Sequence, residues 1–151
     1  MSETSGNVVK EPIGRIMGNI SRRFLTRLQQ QLLHLDIERS YYPLLLIESG
    51  KGKLNQQELA ALLSCDKVQV VRIIDHLSSN GYVERLQGSK DRRKSYIRIT
   101  GKAEKFLPDI EKAIQETTAT ALKDLSEENV DKLYSFLKIL EKNLESDNLN
   151  G

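Results

Sequence analysis

Two groups of residues in this chain have the types and spacing needed to grip a polyanion and read a flat, polar edge. One is the charged run Lys90, Asp91, Arg92, Arg93 and Lys94. The other is Lys67, Val68, Gln69 and Arg72, at the start of a helical pattern. Ammonium and guanidinium groups donate to phosphate oxygens. An Arg fork matches the two acceptors of guanine, a Gln amide matches adenine, and Val suits a thymine methyl. Lys67 can donate to guanine or to phosphate. The chemistry these residues suit is recognition of duplex DNA, not the making or breaking of bonds.

The catalytic alternative has little to stand on. The chain has two histidines, His34 and His76, and one cysteine, Cys65. No nucleophile–base pattern, Walker loop or metal-ligand spacing is present. We therefore expect no catalytic residues, no metal, no cofactor and no enzyme activity. A single cysteine excludes an internal disulfide framework. Cys65 has two readings: a small packing residue, or a thiol sensitised by the adjacent helix start and Lys67 but opposed by Asp66.

Net charge is only +2, but its distribution is uneven. From Asp66 to Lys102 there are nine Lys/Arg and four acids, which gives +5 locally and leaves −3 for the rest of the chain. A basic segment on a near-neutral scaffold is the footprint of a single face that meets phosphate. A charged run alone is more often a solvated loop. Here its position changes the reading, because it follows directly on a helix–turn–helix pattern. Arg93 suits the negative potential of a narrow minor groove. Asp91, an acid among phosphate-binding groups, needs a local use: holding the Arg93 guanidinium, or closing the turn.

These residues need elements to position them. Asn55-Gln56-Gln57-Glu58 is an N-cap followed by Glu at the capping-box position, so the third helix should run from Gln56 to about Leu63. Asp66-Lys67-Val68-Gln69 repeats the start signal for a fourth helix that lasts to Asn80, with Gly81 as a left-handed stop. Val70, Ile73, Ile74 and Leu77 form its core face. Tyr82 to Gln87 and Ser95 to Ile99 read as two strands joined by Gly88-Ser89-Lys90.

Long apolar stripes flank this segment. Ile13, Ile16, Met17, Ile20, Phe24, Leu28 and Leu32 mark a first helix from about Pro12 to Leu35. A second spans roughly Ser40 to Ser49, closed by Gly50 and Gly52. Thr100 caps a long fifth helix to about Leu122 that Pro108 bends. Ser126 caps a sixth, with Val130, Leu133, Phe136, Leu137, Leu140 and Leu144 on one stripe. Stripes this long suit packing on a second chain. No apolar run approaches the ~20 residues of a membrane span, and residues 1–11 lack the apolar centre of a signal peptide. A cytoplasmic protein is expected, with no membrane partner.

The order Leu54-Asn55-Gln56-Gln57-Glu58-Leu59-Ala60, then Val70-Val71-Arg72-Ile73-Ile74-Asp75-His76-Leu77, then Gly81-Tyr82-Val83-Glu84-Arg85, then Asp91-Arg92-Arg93 with Ile97-Arg98-Ile99-Thr100, resembles the MarR family of bacterial transcriptional regulators. The likeness covers about residues 12–145. It implies a mainly α, winged helix-turn-helix fold of six helices with a small β-wing. Residues 1–11 and 146–151 would be flexible tails. Residues 12–35 and 101–145 would form a helical dimerisation region, and 40–100 the DNA-binding region. It further implies a homodimeric repressor on a pseudo-palindromic operator, released by a small aromatic or lipophilic effector. Met17, Phe24, His34, Tyr41 and Tyr42 could line the effector pocket, or could simply be core. The rival reading is a winged-helix adaptor, or a DNA binder without sequence choice or ligand control.

Overall fold

Side-chain caps decide where the central helices start. The computed structural model describes residues 9–37 and 40–145. Within them, seven helices and two strands follow in order: α1 Ile13–Gln31, α2 Tyr41–Ser49, α3 Gln56–Leu63, α4 Lys67–Ser79, β1 Val83–Gln87, β2 Ser95–Ile99, α5 Gly101–Glu104, α6 Leu107–Leu122 and α7 Glu127–Glu145. Asn55 Oδ1 accepts the Glu58 amide at 2.8 Å, and Asn55 Nδ2 donates to Glu58 Oε1 at 2.7 Å. Asp66 Oδ1 accepts the Gln69 amide at 2.7 Å. The Glu58 and Gln69 amides are thereby satisfied where the first turn leaves them without a helical partner, and the Asn55–Glu58 side-chain bond holds the first cap in place. Gly81, at φ 77°, supplies the left-handed stop after α4.

Contacts divide the chain into two units, Met1–Gln115 and Glu116–Gly151. The first holds the core. Leu28, Ile37, Leu44, Ile47, Leu59, Ile74, Leu77, Ile97 and Ile110 are all essentially sealed from solvent. Such side chains contribute about 1.5–3 kcal/mol each on burial. The ribbon is antiparallel, from Val83 opposite Ile99 to Gln87 opposite Ser95. Ile97 also donates its N–H to the Leu54 carbonyl at 2.9 Å, which ties the base of the ribbon to the entry of α3. In the second unit, α7 buries none of its residues, and Tyr134, Phe136, Leu137, Ile139 and Leu144 are exposed.

Three expectations are corrected, while Gly50 closes α2 and Gly52 follows it at φ 77° as expected. The first helix ends at Gln31, not near Leu35, and Leu32 to Leu35 form a turn. Leu28 and Ile37 are both buried. At Leu32 the backbone leaves the helical region (φ −116°, ψ 24°) with its amide bonded to the Gln29 carbonyl, and the turn that follows buries Leu32, Leu35 and Ile37 together. Secondly, Pro12 sits at the N-cap, one position earlier than a first-turn proline, and its carbonyl accepts the Arg15 and Ile16 amides. Thirdly, the expected fifth helix is two helices, so the described residues hold seven and not six. Pro108 has no N–H to return to Glu104, and its ring would crowd that carbonyl. The chain breaks at Lys105 and Phe106 instead of bending, and Pro108 falls in the first turn of α6, where the missing donor costs nothing.

The expected tails lie partly outside the described residues, which exclude 1–8 and 146–151. Glu11 is engaged: it pairs with Arg15 at 3.3 Å and accepts from Asn19 at 3.4 Å. No helix among the described residues is long and apolar enough to cross a membrane.

Candidate nucleic-acid interface

Burial sorts α4 into two faces. Val70, Ile74 and Leu77 are buried and Ile73 is half-buried. Lys67, Val68, Gln69 and Arg72 are exposed, with Val68 at 65%. Spacings of three and four residues put Val68, Gln69 and Arg72 on one side of the helix. All four expected residues therefore share the outward N-terminal half of α4, anchored through its core face.

The ribbon carries the second group on its tip. Lys90, Asp91, Arg92, Arg93 and Lys94 are all exposed. Three bonds shape the turn: Gly88 N–H to Lys94 O at 2.7 Å, Lys94 N–H to Asp91 O at 3.1 Å, and Arg93 N–H to Asp91 Oδ1 at 2.9 Å. Of the two uses open to Asp91, the structure takes turn closure. Its carboxylate accepts a backbone amide and leaves the guanidinium alone. Gly88 is required here, since a Cβ would stand 2.7 Å from the Asp91 carbonyl oxygen.

The acids of this region are consumed away from the tip. Asp75 pairs with Arg85 at 2.7 Å, and Glu84 pairs with Arg98 across the ribbon. Asp66 caps α4 and Asp91 closes the turn. Among the described residues, Lys67, Arg72, Lys90, Arg92, Arg93 and Lys94 form no ion pair. Six cations thus stand unneutralised on α4 and the tip, while the arginines at the ribbon's base are paired. An unpaired surface cation is free to exchange solvent counterions for phosphate.

Cys65 sits in the turn before α4, half-buried. Burial, and then the neighbouring Asp66 carboxylate, push its thiol above the ordinary value. That favours the packing reading over a sensitised thiolate. No group of three or more His, Cys, Asp or Glu that could hold a metal occurs among the described residues.

The five residues expected around an effector lie on α1, on the turn after it and on α2. Tyr41 and Tyr42 line an open cleft of about 440 Å³ against α4, together with Cys65, Gln69 and Arg72. Met17, Phe24 and His34 are not among its walls. Met17 and Phe24 are half-buried on α1. His34 is occupied elsewhere: its Nε2 lies 3.1 Å from Asp109 Oδ2 and its ring meets Phe106 edge-on at 6.0 Å.

Two features escape a reading by pattern. Gln56 and Gln57, in the first turn of α3, line a second cleft of about 460 Å³ with Lys67 of α4. Their amides thus share a cleft with the Lys67 ammonium; the signal is two polar residues directly after a cap. Lys102 Nζ donates to the Asn80 carbonyl at 2.6 Å and lies 4.6 Å from the centre of the Tyr82 ring. It thereby holds the C-terminal end of α4 to α5.

Comparison with known proteins agrees with this geometry. The MarR family model matches residues 42–95. Over the whole fold, the chain is similar to the solved structure of the transcriptional regulator SlyA, with a TM-score of 0.84, 25% identity, and 91% of this chain and 96% of that one covered. It is similar to a MarR transcriptional regulator from Methanosarcina mazei Go1, at TM-score 0.76 and 26% identity over 91% of this chain and 99% of that one. A mutant MarR from E. coli complexed with operator DNA matches at TM-score 0.76 and 26% identity, over 85% and 93% of the two chains.

Proposed function

We propose that this chain, whose residues 42–95 match the MarR family model, is a DNA-binding transcriptional regulator. It acts as a homodimeric repressor on a pseudo-palindromic operator and is released by a small effector. The observation that carries DNA binding is the charge sorting: six unpaired cations on the N-terminal half of α4 and on the ribbon tip, with nearby acids spent on caps and ion pairs. α4 enters the major groove. Gln69, Arg72 and Val68 meet base edges, and Lys67 meets phosphate or guanine. The tip, through Lys90, Arg92, Arg93 and Lys94, follows the backbone into the adjacent minor groove.

Exposed apolar helix surface supports dimerisation. Ile13, Ile16 and Ile20 of α1 are 60, 40 and 57% exposed. Phe136, Leu137, Ile139 and Leu144 of α7 are exposed too. Large apolar side chains at helical spacing mark a protein interface. A two-fold dimer would set its two α4 helices about one DNA turn apart, ~34 Å.

Binding selection from a random duplex library, at near-physiological salt, tests the proposal. Recovery of a pseudo-palindrome with half-sites about one turn apart supports it. Binding with no preferred site leaves a non-specific binder, and no binding at all leaves an adaptor.

A further inference from the structure

Where the chain leaves α4 and enters the ribbon, three consecutive carbonyls are held from one short segment. Lys102 Nζ donates to Asn80 O at 2.6 Å, Thr100 Oγ1 donates to Gly81 O at 2.6 Å, and the Thr100 N–H donates to Tyr82 O at 3.0 Å. The end of α4 is already closed on itself. The Tyr82 amide bonds Leu77 O and the Gly81 amide bonds Ser78 O, the paired bonds of a glycine-terminated helix. The three further bonds join that closed end to residues 100–102. The Lys102 side chain crosses over Gly81, its Cδ 3.7 Å from where a Cβ would stand, and its Nζ lies 4.6 Å from the centre of the Tyr82 ring. Tyr82 is fixed in turn: it is buried, and its hydroxyl accepts the Asp36 amide at 3.3 Å.

Two arms diverge from this clamp. Gln69 stands on α4, ~16 Å from Asn80 along a helix that rises ~1.5 Å per residue. The other arm is β1, five residues long, which spans ~17 Å at ~3.3 Å per residue and leads to the charged tip. A pivot of ~10° at the clamp would move either far end by ~3 Å, several times the ~0.5 Å window of hydrogen-bond lengths. The Asp75–Arg85 pair bridges the same angle, but both partners are exposed and such pairs are weak.

We infer that Lys102 and Thr100 are positioning residues for DNA: by clamping the carbonyls of residues 80–82 they fix the angle between α4 and the ribbon, so that helix and tip engage one duplex together. The inference rests on the proposed reading of α4 and the tip as the DNA contacts. Neither residue has to touch the duplex. Two contacts on one rigid body act at high effective concentration, because seating the helix already brings the tip to its groove. A loosened clamp lets the tip swing, and its cations then add little.

This role shows as a coupling between two distant substitutions. Arg93→Ala alone should weaken binding about fivefold at ~0.15 M salt, the contribution of one phosphate contact whose affinity scales as salt to the power of about −0.9. In a Lys102→Met background the same change should weaken it less than about twofold, and in a Lys102→Arg background the fivefold effect should return. Thr100 is left in place, since its hydroxyl also caps α5 through the Ala103 amide.

The test uses the full chain and the duplex recovered by library selection, with fluorescence anisotropy giving the Kd of each variant. In DNA-free protein, amide residual dipolar couplings report whether residues 67–79 and 83–99 share one orientation. A common orientation is expected in the wild type and in Lys102→Arg, and two separate ones in Lys102→Met. Equal factors for Arg93→Ala in the wild-type and Lys102→Met backgrounds overturn the inference; that result follows if Lys102 itself contacts a phosphate, or if it only stabilises the fold. A common orientation that survives in Lys102→Met overturns it as well. Should Lys102→Met lose its helical circular dichroism, Lys102→Gln takes its place in both measurements. Absence of any duplex binding by the wild type sinks the regulator reading, whereas the dipolar couplings still decide whether the clamp sets the angle.

Discussion

Replacing Asp66 separates three contributions that one carboxylate makes at the start of α4. Its Oδ1 accepts the Gln69 amide at 2.7 Å. Loss of such a cap costs about 1 kcal/mol, within a range of roughly 0.5–2. Its negative charge at a helix N-terminus contributes about 0.3–1 kcal/mol more. Asp66→Ala should therefore destabilise by about 1–2 kcal/mol. Asp66→Asn keeps an acceptor and should lose only the charge contribution. The best readout is native-state hydrogen exchange at the Gln69 amide, which reports local opening. About 1.4 kcal/mol is a factor of ten, so protection should fall roughly five- to thirtyfold with Ala and less than about fivefold with Asn. Two effects should be equal in both variants. DNA affinity should rise, since an acid beside phosphate is removed. The Cys65 thiol should titrate lower, because Asp66 is the second cause of its upward shift, yet stay above the ordinary 9.0, because burial is the first. Equal loss of protection in Ala and Asn would refute the capping argument. An unmoved Cys65 titration would refute the electrostatic one.

Four further outcomes are expected. Arg93→Ala should lower affinity evenly across sequences and flatten the slope of log K against log salt by about 0.9, while Arg72→Ala should relax one position per half-site at about 1–3 kcal/mol; salt titrations and library selection compare them. Gly88→Ala sets a Cβ 2.7 Å from the Asp91 carbonyl oxygen, so the tip should open, DNA affinity should fall, and amide NMR changes should stay within about residues 87–95 of the ribbon. Lys102→Met removes the hydrogen bond to Asn80 and the contact with the Tyr82 ring; a stability loss of about 1–3 kcal/mol is expected by urea unfolding. Leu137→Asp on the exposed face of α7 should shift sedimentation from dimer to monomer while far-ultraviolet circular dichroism keeps its helical form.

The elements that carry the interface were legible because their signals are local. Asn55 and Asp66 are capping residues by chemistry, and each does cap its helix. Alternation around Ile97 placed β2 on its observed span, and the apolar spacing of α4 gave its buried face. What stayed hidden depends on residues far apart in sequence. The Lys102 bond to Asn80 exists because Gly81 reverses the chain and brings α5 back to the end of α4. No periodicity encodes that approach. Periodicity gives a helix its faces but not the neighbour each face meets, so no pattern pairs His34 with Asp109, seventy-five residues away. Pro108 was a visible signal with two outcomes, bend or break, and only packing of Leu107 and Ile110 into the core chose between them.

The pairing of acids at the base of the ribbon has a consequence for how such a protein can change over generations. Arg85 and Arg98 are tied to Asp75 and Glu84, and Ile97 is tied to Leu54. Substitution there disturbs the fold. Ser89, Lys90, Arg92 and Lys94 carry no side-chain bond among the described residues, and exposed positions of that kind typically tolerate replacement within about 0.5 kcal/mol. The tip can therefore gain or lose charge one residue at a time, and the proposed grip on DNA can drift with it, while α4 stays in register.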